Sequence, residues 1–192
     1  MTDADAMQVV NSISPDGQLL VLTERHPKTG RDLWVVELDA AEHPARPYLE
    51  TPFSEGAAKI SPTGHHVVYV SDESGRPEIY VRDFPEPGMR WQISTEGGTE
   101  PVWPRDGHEI FYRAWNGMMA VPVSEDPVFK AETPTKLFED RFATGTLLPR
   151  YDVTRDGERF LMITDDERGS ARELHLVSNW FEELKRLVPM NK

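Results

Sequence analysis

The sequence predicts an all-β chain: about four four-stranded blades of a β-propeller, the last incomplete, and a short C-terminal helix. Three observations carry that expectation. A turn motif recurs four times, apolar runs of strand length flank each copy, and 16 Pro and 13 Gly are spread along the whole chain rather than gathered in one linker. Such frequent punctuation suits short strands and turns and leaves little room for long helices. The turns read Ser14-Pro15-Asp16-Gly17, Ser61-Pro62-Thr63-Gly64, Pro104-Arg105-Asp106-Gly107 and Thr154-Arg155-Asp156-Gly157, with terminal glycines 47, 43 and 50 residues apart. A period of that size is the length of one four-stranded blade.

Each blade is read in the same order. A short apolar segment precedes the turn: Val9 to Ile13, Ala57 to Ile60, Pro101 to Trp103 and Tyr151 to Val153. A second strand follows it, at Leu19 to Leu22, Val67 to Val70, Ile110 to Tyr112 and Phe160 to Ile163. After a polar, Gly-containing loop comes a third, at Leu33 to Val36, Ile79 to Val81, Met118 to Val121 and Leu174 to Val177. A weaker fourth is legible at Pro47 to Leu49, Trp91 to Ile93 and Lys136 to Phe138. The runs are rich in β-branched and aromatic residues and nearly continuous in apolarity, as expected of strands covered on both faces by stacked blades. The turn chemistry is conformational: Gly accepts positive φ without steric cost, and Asp hydrogen-bonds the backbone two residues on. Asp16, Asp106 and Asp156 are therefore expected to shape hairpins, and Thr63 in the second copy agrees with that role.

The segments "SISPDGQLLVLT" and "ISPTGHHVVYVSDESGRPEIYVRD" resemble propeller repeats of the TolB type, a WD-like family with a Ser-Pro-Asp-Gly hairpin. The resemblance spans nearly the whole chain and is weakest where Pro104-Arg105 breaks the motif. The ending "LHLVSNWFEELKRLVP" is similar to the C-terminus of propellers attached to bacterial serine/threonine protein kinases. The resemblance implies a sensor or interaction module. Propellers of this look also precede the hydrolase domains of prolyl-oligopeptidase-like enzymes, so an accessory role beside such a domain is the alternative.

A single partial propeller domain is thus expected over 1–192, with blades near 8–50, 56–94, 99–139 and 149–178. In the fourth, Asn179 and Glu182 form an N-terminal cap, and Trp180, Phe181, Leu184, Leu187 and Val188 make an apolar stripe at helical spacing. A helix over 179–188 therefore stands where an outer strand is expected, and the acidic MTDADAMQ is too short to supply that strand. The array is read as part of a larger ring, as completed by a second copy in a homodimer, or as closing imperfectly with four blades. A self-assembling structural unit is a further reading.

With 33 acidic and 21 basic residues the net charge is −12, which argues against nucleic acid as a partner. No Cys is present, so disulfides, thiolate metal sites and Cys nucleophiles are excluded. No apolar stretch of about 18 residues occurs, and the acidic N-terminus is not a signal peptide. As written the chain reads as cytoplasmic, and as extracytoplasmic if it is the tail of an anchored sensor. Gly-x-Ser-x-Gly, phosphate-loop and kinase motifs are all missing. No catalytic residue, cofactor or metal ligand is expected. His65-His66 reads as an exposed turn pair, and the acids Asp165-Asp166-Glu167 as a solvated loop rather than a Ca²⁺ site.

Loops carry function on rigid scaffolds. The loops joining second to third strands, and blade to blade, share one face, and the expected partner-binding residues there are Arg25, Glu55, Glu73, Glu100, Trp115, Arg150 and Arg168. Glu100 and Arg150, at equivalent starts of inner strands, are the mouth-lining candidates. The face is mixed but mostly acidic, and favours a basic or polar protein or peptide partner. Trp34, Trp91 and Trp103 fall on strands and read as core, whereas Trp115 sits in the tight "RAWNGM" loop.

Overall fold

A computed structural model of the chain describes residues 6–139, 148–163 and 174–177, the last four by backbone alone. The strands form four antiparallel sheets, each wound in chain order. Blade 1 contains β1 (Gln8–Ile13), β2 (Leu19–His26), β3 (Gly30–Glu37) and β4 (Ala45–Leu49). Blade 2 contains β5 (Glu55–Ile60), β6 (His66–Ser71), β7 (Glu78–Asp83) and β8 (Arg90–Gln92). Blade 3 contains β9 (Thr99–Val102), β10 (Glu109–Ala114), β11 (Gly117–Ser124), β12 (Lys130–Ala131) and β13 (Thr135–Phe138), with β12 and β13 both pairing β11. Blade 4 contains β14 (Tyr151–Val153), β15 (Phe160–Ile163) and β16 (Leu174–Val177). The helix expected over 179–188 lies outside the described residues. Among those residues no helix is long and apolar enough to cross a membrane.

The four turns close as their sequence requires. Gly17, Gly64, Gly107 and Gly157 have φ of 76°, 80°, 77° and 73°. Each donates its N–H to the carbonyl three residues back, at 2.9, 3.0, 3.1 and 2.9 Å. Asp16 Oδ1 accepts from Gln18 N at 3.0 Å and Asp156 Oδ1 from Glu158 N at 3.1 Å. Thr63 Oγ1 takes the same place by accepting from His65 N at 3.3 Å. In three blades the first turn residue also donates its N–H across the hairpin, to Leu19, His66 and Arg159. Pro104 has no N–H to give. There Trp103 Nε1 bonds the Gly107 carbonyl at 3.2 Å, so an indole helps to close the hairpin that proline weakens.

Alternation along the strands sends successive side chains to opposite faces, and each face meets the next blade. Val21, Leu33 and Val35 of blade 1 pack on Ile60, Val67, Tyr69 and Tyr80 of blade 2. Val68, Ile79 and Val81 of blade 2 pack on Trp103, Ile110 and Tyr112 of blade 3. Phe111, Met118 and Ala120 of blade 3 pack on Tyr151, Phe160 and Met162 of blade 4. Each seam therefore joins a forward face built around the second and third strands to a rear face of the following blade. Lys59 Nζ of β5 also donates to the Asn11 carbonyl at 2.8 Å, tying the first two inner strands together.

Inner strands β1, β5 and the β9–β10 pairing all shift register at a bulge. The equivalent bulge residues Ala57 and Glu100 have φ of 53° and 54°. Such irregularities re-aim side chains at the ends of pairing, and at Glu100 the result is an inward-turned carboxylate.

Candidate partner-binding cleft

The face residues divide by burial. Arg25 and Arg150 are exposed. Glu73 is half-buried and ion-paired with Arg90. Glu55 and Glu100, charged residues expected on the surface, are each only 2% exposed. Arg168 lies outside the described residues, as do Asp165, Asp166 and Glu167.

Glu100 belongs to a seam. Its Oε1 is 3.5 Å from Arg113 Nη1, with both side chains 2% exposed. Its Oε2 accepts the backbone N–H of Arg150 at 2.7 Å, and its carbonyl accepts the Tyr151 hydroxyl at 2.8 Å. One residue of β9 thus fixes blade 4 to blade 3.

Glu55 lies between blades 1 and 2. Thr51 Oγ1 donates to its Oε1 at 2.5 Å, whereas Oε2 is buried without a hydrogen-bond partner, as is Oδ1 of the buried Asp32. Burial, helped by the charges of Asp32, Asp72 and Glu73 and opposed by the Thr51 hydrogen bond, pushes the Glu55 carboxyl up to about 7. Burial likewise raises Asp32.

The histidine pair also divides. His65 is exposed, but His66, expected in an exposed turn, is 7% exposed. Its Nδ1 lies 2.5 Å from Glu125 Oε1 of blade 3, and its ring packs on Trp91 and Phe129. Among the described residues no group of three or more His, Asp or Glu is placed to hold a metal ion.

Trp115 stands apart. It occupies the two-residue tip between paired Ala114 and Gly117, and is 80% exposed. Beside it opens a cleft of about 310 Å³ at the mouth of the seam between blades 2 and 3. Tyr112, Met119 and Pro134 give it apolar walls, and Glu96 and Lys136 bring one charge of each sign. This volume is at the lower end for a ligand pocket and suits one or two side chains of a bound segment. Burial, with smaller contributions from Glu78 and Glu96, pushes the Tyr112 phenol up to about 12, so it stays protonated at neutral pH.

The walls are fixed from beneath. Glu78, 1% exposed, accepts from Arg76 Nε at 2.7 Å, from the Gly97 N–H at 2.9 Å and from the Ser94 hydroxyl. Arg76 in turn bonds the Thr95 carbonyl. A Cβ on Gly98 would come within 2.6 Å of Ile79, so the loop can press onto β7 only with glycine there. On the other wall, a Cβ on Gly117 would overlap the Phe138 carbonyl oxygen of β13. Gly117→Ala is expected to push β13 from β11 and to cost about 1–3 kcal/mol. Denaturant unfolding followed by circular dichroism checks it.

Antiparallel sheets, each wound in chain order and stacked face to face, define the class: this is a β-propeller array. The comparisons give its relatives in shape. The fold is similar to TolB from Acinetobacter baumannii, at 17% identity and a TM-score of 0.60, over 88% of this chain and 40% of that one. It is similar to a puromycin-hydrolyzing peptidase of Mycobacterium tuberculosis, at 17% identity and a TM-score of 0.60, over 84% of this chain and 28% of that one. It also resembles the β-propeller domain of Myceliophteria thermophila Cps50 (Swd1), at 13% identity and a TM-score of 0.54, over 88% of this chain and 70% of that one. The chain thus has a TolB-like propeller fold and spans less than half the length of the first two structures. No family model matches it, and no curated protein is similar to it in sequence.

Proposed function

We propose that the chain is a non-catalytic propeller module that binds a protein or peptide segment at the Trp115 cleft, as the sensor or interaction portion of a larger bacterial signalling protein. The observation that carries this reading is an indole 80% exposed at the tip of a two-residue hairpin, beside a cleft of about 310 Å³. Exposed large aromatic groups on rigid walls are common binding anchors, because little ordering cost remains to be met on association. The protein's −12 charge favours a partner segment that combines an apolar or aromatic side chain with basic or polar neighbours.

The test is selection of random displayed peptides on the pure protein, followed by affinity measurement against Trp115→Ala. A hot-spot tryptophan contributes about 2 kcal/mol or more, so binding is expected to weaken about 30-fold or more. The melting temperature should not change, since an exposed side chain supports no core. Peptides that bind both proteins equally, or no selected peptides at all, would overturn the cleft as the site.

The structural likeness to a puromycin-hydrolyzing peptidase favours a second reading, in which these blades are the propeller part of a hydrolase. The sequence contains no Gly-x-Ser-x-Gly elbow. Turnover of fluorogenic esters or peptides by the pure chain would reverse the non-catalytic reading.

A further inference from the structure

Three seams join the four blades, and each is built from the same two half-surfaces. The forward half is centred on a second-strand residue that is 0% exposed in every seam: Val21, Val68 and Phe111. The matching position in blade 4 is Leu161, and it is 36% exposed. Leu161 pairs with Leu176, and Ile163 with Leu174, so β16 places leucines at the register positions held by Val35 and Leu33 in blade 1. Ile163, next on the same face, is 39% exposed.

The rear half shows the complementary defect. Ile60 and Trp103, the last inner-strand residues of their rear faces, are 7% and 8% exposed. Their counterpart in blade 1, Ile13, is 55% exposed, and Val10 on the same strand is 58% exposed. Ile13 pairs with Leu20 and Val10 with Leu22, so the apolar character continues onto β2, where Leu22 is already buried at 6% exposed. Among the described residues the core clusters fill the seams between blades 1 and 2, 2 and 3, and 3 and 4, and none joins blade 4 to blade 1.

Among the described residues these two surfaces are left without a seam; they are unlike each other and match the two halves of one seam. We infer that two copies of this chain assemble head to tail, the forward face of blade 4 in each copy seating on the rear face of blade 1 in the other. A twofold axis along the ring centre makes both new seams equivalent, so the assembly closes without leaving a free face. Two copies of four blades make a ring of eight, within the roughly four to eight blades over which such rings close. The occupant is a second copy because the surface each face requires is present on the same molecule, at the positions that already pack that way three times within it.

The chain lacks Cys, so single cysteines report cleanly. Ile13→Cys and Leu161→Cys proteins are prepared separately, mixed, and treated with a short bis-maleimide at about 0.15 M salt, where surface repulsion is screened beyond about 8 Å. A covalent dimer is expected from the mixture and none from either variant alone, since like positions lie on opposite sides of the ring. Light scattering should give twice the monomer mass for the unmodified chain. Ile13→Asp with Leu161→Asp should halve that mass while the β-sheet circular dichroism persists; should this variant fail to fold, the cross-linking pattern decides. A monomeric mass, cross-linking of Ile13→Cys to itself, intramolecular linkage in the doubly substituted chain, or open polymers would each overturn the ring.

Discussion

Glu100→Ala is expected to lower stability by up to about 3–5 kcal/mol, because it removes the carboxylate 3.5 Å from the Arg113 guanidinium, which is 2% exposed. The Arg150 N–H loses its acceptor at the same time. For a chain of this length the loss corresponds to a fall in melting temperature of about 6–20 °C. Glu100→Gln should lose less, since the amide oxygen can still accept from Arg150. Scanning calorimetry and denaturant unfolding check both. A loss below about 1 kcal/mol for the alanine variant would mean that water reaches Arg113 and that the ion pair does not hold the seam.

The second large effect is a pH dependence at Glu55. Its carboxyl titrates near 7 in the folded chain against 4.5 for the ordinary group. The folded state thus holds this proton more tightly than the unfolded state, which makes the sign of the effect the reverse of acid denaturation. The contribution of Glu55 to stability is complete below about pH 4.5, falls between 4.5 and 7, and is gone above 7. A shift of this size corresponds to about 3 kcal/mol. Glu55→Gln removes the titration while keeping shape, and should stabilise the protein by about 3 kcal/mol at pH 8 and by under 1 kcal/mol at pH 5. Chemical unfolding at the two pH values measures the difference. Equal effects at both would show that Glu55 is ionised throughout.

The same two residues show what was legible in the sequence. The turns were readable because their chemistry is local: Ser14, Asp16 and Gly17 make one another's bonds within four residues. The strands were readable because apolarity on both faces is a property of consecutive positions. Burial of a charge is neither. Glu100 is buried because Arg113 stands on the neighbouring strand, and Glu55 has its nearest acidic neighbours on two distant segments, at Asp32 and at Asp72-Glu73. His66 read as an exposed turn residue because Glu125, 59 residues further on, is invisible from its own hairpin. A carboxylate is normally a surface residue, so the sequence offers no sign of inversion until the partner's position is known. The weakest elements were the outermost strands. β12 has two residues, both exposed, and no apolar signal to announce it. Trp115 was different: a large aromatic at a hairpin tip has no neighbour to bury it, and its isolation between Ala114 and Asn116 shows in the sequence itself.

Blade 2 is a board with writing on both sides. On β6, Val67 and Tyr69 belong to the seam with blade 1, while Val68 belongs to the seam with blade 3. The Glu55 carboxyl lies on one side of this board and the Trp115 cleft opens on the other, with one sheet between them. Whatever wedges into the cleft presses on Tyr112 and Met119, which are packed on the back of the sheet that forms the first seam. The cleft and the Glu55 carboxyl therefore lie back to back across a single sheet. Blade 4, joined to blade 3 through Glu100 and the packing of Tyr151, Phe160 and Met162, lies beyond that pair of seams.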